Sequence, residues 1–254
     1  MTVFAPVTLH RSGSGTPLVL LHCLGVDHRF WDFLAPLADS VTLARYDLPG
    51  HGETPVPDGP YGVEHLSDQL AELFRREGIG RAHVAGISLG GLIAQHFAAH
   101  NPDLVDRLVL MDTTPRYTDE MRGMWAVRAG TARKDGVAAL VPGLLKIWFS
   151  DRCLAQDPPG VRYVRERLGT SSGEGYALAC EALAAADLRD DAVKIDTPTL
   201  VICGDDDIPS FLEAALWLTA NIKGAKLEWL PGARHASVIE QPDRTIALLR
   251  DFLR

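Results

Sequence analysis

Six short, nearly continuous apolar runs punctuate the chain, at residues 18–21, 41–46, 84–87, 108–111, 200–203 and 227–230. Runs without polar alternation are strands covered on both faces, which is the condition of a parallel sheet packed between helices. Helical patterns do lie between them: Val63, Leu66, Leu70, Leu73 and Phe74 recur at spacings of three and four. The fold class is therefore α/β, a mostly parallel sheet flanked by helices. A closing helix should begin near Pro242 and bury Ile246, Leu249 and Phe252 or Leu253. Residues 3–9 are expected to form an antiparallel edge hairpin with residues 18–21.

One interval breaks the alternation. Between the runs at 108–111 and 200–203 lies a stretch rich in Ala, Arg and Leu, with helical spacing at Met121, Met124, Trp125 and Arg128 and again at Val161, Val164 and Leu168. It reads as a helical cap, residues 115–194, inserted into a core made of residues 1–114 and 195–254.

Composition narrows the function classes. With 254 residues, 46% of them hydrophobic, the chain can build one ordinary core. Its formal charge of −8 gives no basic stripe, so nucleic acid is not an expected partner. No apolar stretch approaches the roughly 18 residues of a bilayer span, and the first residues carry no basic cluster, so neither membrane insertion nor secretion is expected. The four cysteines, Cys23, Cys153, Cys180 and Cys203, are widely separated and contain no CxxC pair, which suits reduced thiols in a cytoplasm.

The chemistry begins after the third run, where Gly86-Ile87-Ser88-Leu89-Gly90 joins a strand to the helical pattern of Leu92, Ile93 and Phe97. A Gly-x-Ser-x-Gly at such a junction places its serine on a strained turn at the sheet edge, beside a helix N-terminus that favours developing negative charge. The plainer alternative is a glycine-rich turn holding an idle serine. A serine hydroxyl needs a base and a group that orients the base. Downstream, the run at 200–203 ends in Gly204-Asp205-Asp206-Asp207, and the run at 227–230 is followed by Pro231-Gly232-Ala233-Arg234-His235. Only His235, of nine histidines, lies between the last strand and the last helix. Asp207 is the expected acid, and Asp112, at the end of the preceding strand, is its rival.

Other candidates have plainer readings. His96 and His100 stand one helical turn apart, but no Glu follows His96 and the sequence suggests no third ligand, so they read as a solvated helix face rather than a zinc site. His51 reads as structural, and Asp47 as the acceptor of backbone amides in a turn. Two amides are needed for an oxyanion hole. Leu89, after the serine, should supply one, and Leu24 in His22-Cys23-Leu24-Gly25 the other. Cys23 reads as a small semi-buried hydrophobe, not a nucleophile.

Taken together, Leu21-His22-Cys23-Leu24-Gly25, Arg45-Tyr46-Asp47-Leu48-Pro49-Gly50-His51-Gly52, the Ser88 turn, Gly204-x-x-Asp207 and His235 resemble the α/β-hydrolase superfamily over the whole chain. Within it the chain is most similar to 3-oxoadipate enol-lactonases. That similarity extends into the cap through Thr113-Thr114-Pro115-Arg116, Trp125, Trp148-Phe149 and Gly175-Tyr176-Ala177-Leu178-Ala179-Cys180. The resemblance implies a small enol lactone with a carboxylate arm as substrate, from the breakdown of aromatic compounds. It implies Ser88, His235 and Asp207 as triad, Leu24 and Leu89 as oxyanion donors, and neither metal nor organic cofactor.

Such a substrate asks for an apolar wall and one cation. Trp125 and Trp148, with Arg122, Arg128 and Arg133, are the candidates. The alternative is that the tryptophans are cap core and the arginines a solvated face. A general carboxylesterase or a carbon–carbon bond hydrolase would share the same triad, because a fold does not fix a reaction. A slow-turnover ligand sensor is a further alternative.

Overall fold

All six apolar runs lie in strands of one seven-stranded sheet in the computed structural model, which describes residues 4–254. The strands are β1 (His10–Gly13), β2 (Pro17–Leu21), β3 (Thr42–Arg45), β4 (Ala82–Ile87), β5 (Val105–Met111), β6 (Thr199–Gly204) and β7 (Lys226–Leu230). They lie in the order β1-β3-β2-β4-β5-β6-β7, and every pairing except β1 with β3 is parallel. Strands β4 and β6 are buried along their whole length, as the absence of polar alternation required.

The edge strand differs from expectation. It spans His10–Gly13 and pairs antiparallel with β3, His10 opposite Arg45, and not with β2. The reason is competition for edges: β2 is already flanked by β3 and β4, so the outer side of β3 is the open ladder. Residues 4–9 belong to no strand, and Val3 lies outside the described residues.

Helix α1 (Val63–Arg76) buries Val63, Leu66, Leu70, Leu73 and Phe74 as its spacing predicts. Each such side chain contributes about 1.5–3 kcal/mol by leaving water. Helix α2 (Leu89–His100) follows β4 directly. Between β5 and β6 come α3 (Asp119–Asp135), α4 (Val141–Trp148), α5 (Asp151–Gln156), α6 (Pro159–Thr170), α7 (Gly173–Ala185) and α8 (Arg189–Ala192), with no strand of the sheet among them. The outgoing and returning chains meet where Leu188 N–H donates to Pro115 O at 2.8 Å and Arg116 bridges Asp187. After β6 comes α9 (Pro209–Asn221); after β7 come α10 (Ser237–Glu240) and α11 (Pro242–Phe252), whose Leu249 is fully buried. Among the described residues no helix is long and apolar enough to cross a membrane.

Register brings the carboxyl ends of the central strands together. Leu21 lies opposite Gly86, Ile87 opposite Met111, Met111 opposite Ile202, and Gly204 opposite Leu230. The loops that leave these ends share one rim, the usual place for a ligand in a parallel α/β sheet.

Candidate active site

Ser88 sits between β4 and α2 with φ 51° and ψ −113°, a conformation that costs a non-glycine residue about 1–3 kcal/mol. The surroundings fix it there. Ser88 N–H donates to Met111 O at 3.0 Å, and Ser88 O accepts from Leu92 N–H at 3.1 Å and Thr113 Oγ1 at 2.8 Å. The flanking glycines are required by close approach. A Cβ on Gly86 would lie 2.1 Å from Gly90 O, and one on Gly90 would lie 2.1 Å from Leu21 O.

The side chains of Ser88, His235 and Asp207 form a buried chain of contacts. Ser88 Oγ is 3.1 Å from His235 Nε2, and His235 Nδ1 is 2.9 Å from Asp207 Oδ2. Asp207 Oδ1 also accepts the Ile208 N–H at 2.7 Å, which fixes the carboxylate plane. Burial alone would lower the His235 pKa, but the Asp207 charge and hydrogen bond outweigh it and hold the imidazole above its usual value. The other two aspartates turn elsewhere: Asp205 accepts Gly232 N–H at 2.5 Å, and Asp206 pairs with Arg234 at 3.1 Å.

Asp112 is close to this chain but does not join it. Its Oδ1 accepts Gly204 N–H at 3.0 Å and its Oδ2 accepts Ser237 Oγ at 2.6 Å, so it ties the acid loop to the loop after His235. Burial and the adjacent Asp207 charge push its carboxyl up to about 7. Leu24 and Leu89 are both buried, and among the described residues neither backbone N–H has a protein acceptor. Cys23 is buried and its thiol is pushed well above the usual range by that burial. Asp47 accepts the His28 and Glu53 amides at 2.6 and 2.8 Å, as a turn residue should.

Around the serine and histidine stands an aromatic wall. The Trp148 ring lies 6.3 Å from the His235 ring, and Phe211 lies 4.3 Å from it. Trp125 packs edge-on against Tyr117 at 5.3 Å. Tyr117, Tyr176 and Phe211 are wall residues that sequence reasoning missed, although Tyr176 stands in one of the cap segments that carried the family resemblance. The Tyr117 hydroxyl faces Ser88 and the Tyr176 hydroxyl faces Arg128, yet among the described residues neither makes a hydrogen bond of ordinary geometry, and Trp125 Nε1 has no partner there either. Burial keeps both phenols protonated, so the wall presents unused donors. A hollow of about 270 Å³ adjoins it and shares Tyr117 and Phe211 with the wall.

The three candidate arginines separate clearly. Arg122 caps the end of α7 through Ala184 O and Ala185 O. Arg133 is engaged by Glu174, at 2.7 Å, and by Glu181. Neither is available to a ligand. Arg128 lies 4.7 Å over the Trp125 ring, and among the described residues no carboxylate pairs with it.

His96 and His100 do acquire a third neighbour that the sequence did not suggest, since Asp191 of α8 approaches them and bonds His100 Nε2 at 3.0 Å. His96 is half-buried, with Nδ1 unpartnered among the described residues, so this is not a wholly solvated face. The two rings are stacked with planes only 14° apart and centroids at 4.2 Å. An ion bound in the plane of one ring cannot then lie in the plane of the other, so the trio is not a formed metal site.

A serine on a strained turn, a hydrogen-bonded imidazole and carboxylate, and two unused amides can together perform acyl transfer. The model of the alpha/beta hydrolase family matches residues 18–248. The chain is 31% identical over 226 residues to 3-oxoadipate enol-lactonase 2 of Acinetobacter baylyi, covering 89% of this chain and 84% of that one. The crystal structure of the enol-lactonase from Burkholderia xenovorans superposes with a TM-score of 0.93 at 33% identity, covering 99% of each chain. A malate-bound thermophilic esterase from Thermogutta terrifontis gives 0.92 at 26% identity, covering 100% of this chain and 98% of that one. The fold, the matched residues and these relatives agree: the chain belongs to the alpha/beta hydrolase family.

Proposed function

We propose that the protein is a serine hydrolase that opens a small enol lactone bearing a carboxylate, of the 3-oxoadipate enol-lactone type met in the breakdown of aromatic compounds. Ser88 Oγ attacks the ring carbonyl while His235 Nε2 takes its proton, and Asp207 stabilises the imidazolium and holds its tautomer. The Leu24 and Leu89 amides receive the oxyanion. Collapse of the tetrahedral intermediate breaks the ring C–O bond, and the His235 imidazolium gives its proton to the departing enolate oxygen; the enol, still part of the acyl group on Ser88, becomes the ketone. His235, neutral again, deprotonates a water that attacks the acyl carbonyl, and returns that proton to Ser88 Oγ as the acid leaves. Each step uses a group of this chain.

The observation that carries the substrate class is Arg128, a cation set against the Trp125 ring with no carboxylate paired to it among the described residues. With the Tyr117, Tyr176 and Trp125 donors beside it, this corner suits an anionic, oxygen-rich arm. Likeness to the Thermogutta terrifontis esterase favours a general carboxylesterase as the second reading.

A panel of carboxylated lactones, neutral aryl esters and vinylogous diketones, assayed on wild type and Ser88→Ala, tests the proposal. We expect carboxylated lactones to give the highest kcat/KM and Ser88→Ala to retain only background. Substantial turnover by Ser88→Ala removes the serine mechanism, and a preference for neutral esters moves the assignment to the esterase.

A further inference from the structure

One face of α6 grips the segment that carries Leu24. Tyr163, Arg167 and the C-cap residue Ser171 recur every four residues, so they follow one side of the helix to its end. Ser171 Oγ donates to Gly25 O at 2.7 Å. The Tyr163 hydroxyl donates to Asp27 Oδ1 at 2.8 Å and accepts the Asp27 N–H at 3.2 Å. Arg167 Nε lies 2.9 Å from Asp27 Oδ2, a charge contact without the angle of a hydrogen bond. Leu168, between them, packs on Gly25 so closely that a Cβ there would come within 2.5 Å of its Cδ2.

The same carboxylate is held from the other side by Arg29, whose Nη2 donates at 2.8 Å. Burial would raise the Asp27 pKa, but Arg29, Tyr163 and Arg167 outweigh it and hold the carboxyl down to about 2. On the preceding side, the chain that leads to Leu24 is anchored at the buried His22, whose Nε2 accepts Leu48 N–H from the loop after β3 at 3.0 Å and whose Nδ1 lies 2.8 Å from Cys23 O. Leu24 thus lies between an anchor in the core and an anchor on the cap. Gly25, at φ 79°, is the joint between them.

We propose that Tyr163, Arg167 and Ser171 are positioning residues that aim the Leu24 N–H, so that the oxyanion hole is complete only while α6 is seated on the loop. The inference rests on the serine-hydrolase reading above. It makes the cap part of the catalytic geometry as well as a cover, because any displacement of α6 passes through Gly25 O and Asp27 to the amide that receives the oxyanion. Asp27 also caps the 3-10 stretch His28–Asp39 through Arg29 N–H at 3.0 Å. Substituting Asp27 would therefore mix stability with positioning, and the test belongs on α6.

The experiment measures kcat and KM for a neutral aryl ester, the Ki of phenylboronic acid and the Tm, in wild type, Tyr163→Phe, Arg167→Met, Arg167→Lys and Ser171→Ala. Phenylboronic acid forms a tetrahedral adduct on a nucleophilic serine and places an oxygen in the hole, so its Ki reads the hole directly. We expect Tyr163→Phe and Arg167→Met to lower kcat by about 10- to 100-fold with KM changed by less than about threefold, and to raise the boronate Ki in proportion. Arg167→Lys should retain more activity than Arg167→Met. The double variant should lose little beyond the worse single, because both act on one loop.

Variants that melt lower yet keep kcat and boronate Ki would overturn the proposal, as would a loss of kcat with boronate binding intact. If the larger changes fail to fold, Ser171→Ala deletes one hydroxyl, which Gly25 O and Arg167 O share at 2.7 Å each, and carries the same readout, with a smaller expected loss. Failure of wild type to bind the boronate, or activity in Ser88→Ala, strikes instead at the serine-hydrolase reading.

Discussion

A carboxylate oxygen of Asp112 lies within 4.8 Å of one of Asp207 in the interior, and of the two only Asp207 touches His235. Two like charges so close cannot both be ionised cheaply, and burial beside the Asp207 charge raises the Asp112 carboxyl to about 7, where its partners are a backbone amide and a hydroxyl rather than an imidazole. Asp207→Asn should lower kcat by about 10⁴-fold with the fold intact, since it offers His235 the wrong tautomer. Asp112→Asn should keep most turnover, because a neutral amide resembles the protonated acid. Steady-state kinetics on the two variants checks the assignment, and a severe Asp112→Asn with a mild Asp207→Asn would reverse it.

The raised Asp112 carboxyl has a second consequence, in stability. Its value of about 7 in the folded chain exceeds that of an unfolded aspartate, so between roughly pH 4 and pH 7 the native state binds the extra proton. Stability from this group is therefore full below pH 4 and is lost as pH rises through 7. Asp112→Asn should abolish the loss, so its Tm relative to wild type should be higher at pH 8 than at pH 5. The change in unfolding free energy behind that shift is on the order of a few kcal/mol. An unchanged Tm difference between the two pH values would show that Asp112 does not hold that proton.

The pH profile of turnover follows from His235. In its proposed role as base it must be neutral, and Asp207 raises its pKa above the ordinary value of 6.5. The acidic limb of kcat/KM should therefore lie above 6.5, with activity falling as pH falls through it. In Asp207→Asn the residual activity should show this limb at lower pH. A stopped assay from pH 5 to pH 9 measures both.

Steric demand at the Ser88 turn gives a fourth expectation. Gly90→Ala would put a methyl group 2.1 Å from Leu21 O and 2.8 Å from His22 O, backbone atoms that cannot swing aside. A cost of about 3 kcal/mol, a fall of roughly 6–12 °C in Tm, and displacement of Ser88 should follow. Gly130→Ala in α3, where an added Cβ meets nothing within 4 Å, should instead be neutral or stabilising by up to about 1 kcal/mol. Thermal melts of the pair separate crowding from a general intolerance of substitution.

What was legible in the sequence follows the range of the physics involved. The six strands, the Ser88 turn and the His235 loop are local patterns, and each lies where its run or motif placed it. The edge strand was misplaced because its partner depends on which ladder is open, a property of the assembled sheet. Asp205, Asp206 and Asp207 are alike in sequence and separate only when β6 ends and each points at a different neighbour. Likewise the arginines of α3 cannot be ranked until α7 supplies Ala184, Glu174 and Glu181 to two of them. Asp191 reaches His100 across 91 residues, a contact no local spacing signals.

That separation of the arginines yields the sharpest test of substrate class. Arg128→Met keeps length and apolar contact with Trp125 while removing the charge, so a lost effect can be ascribed to the cation. KM for a carboxylated lactone should rise about 10- to 100-fold, the scale of one charge-assisted contact, while a neutral aryl ester of similar size is nearly unaffected. Arg122→Met and Arg133→Met remove contacts to α7 and should change Tm without altering the ratio between charged and neutral substrates. The loss in Arg128→Met should shrink as salt is raised toward 1 M in proportion to how far solvent reaches the half-buried guanidinium. If Arg128→Met treats charged and neutral substrates alike, this corner of the cap does not read a carboxylate, and the protein is better described as an esterase of the same fold.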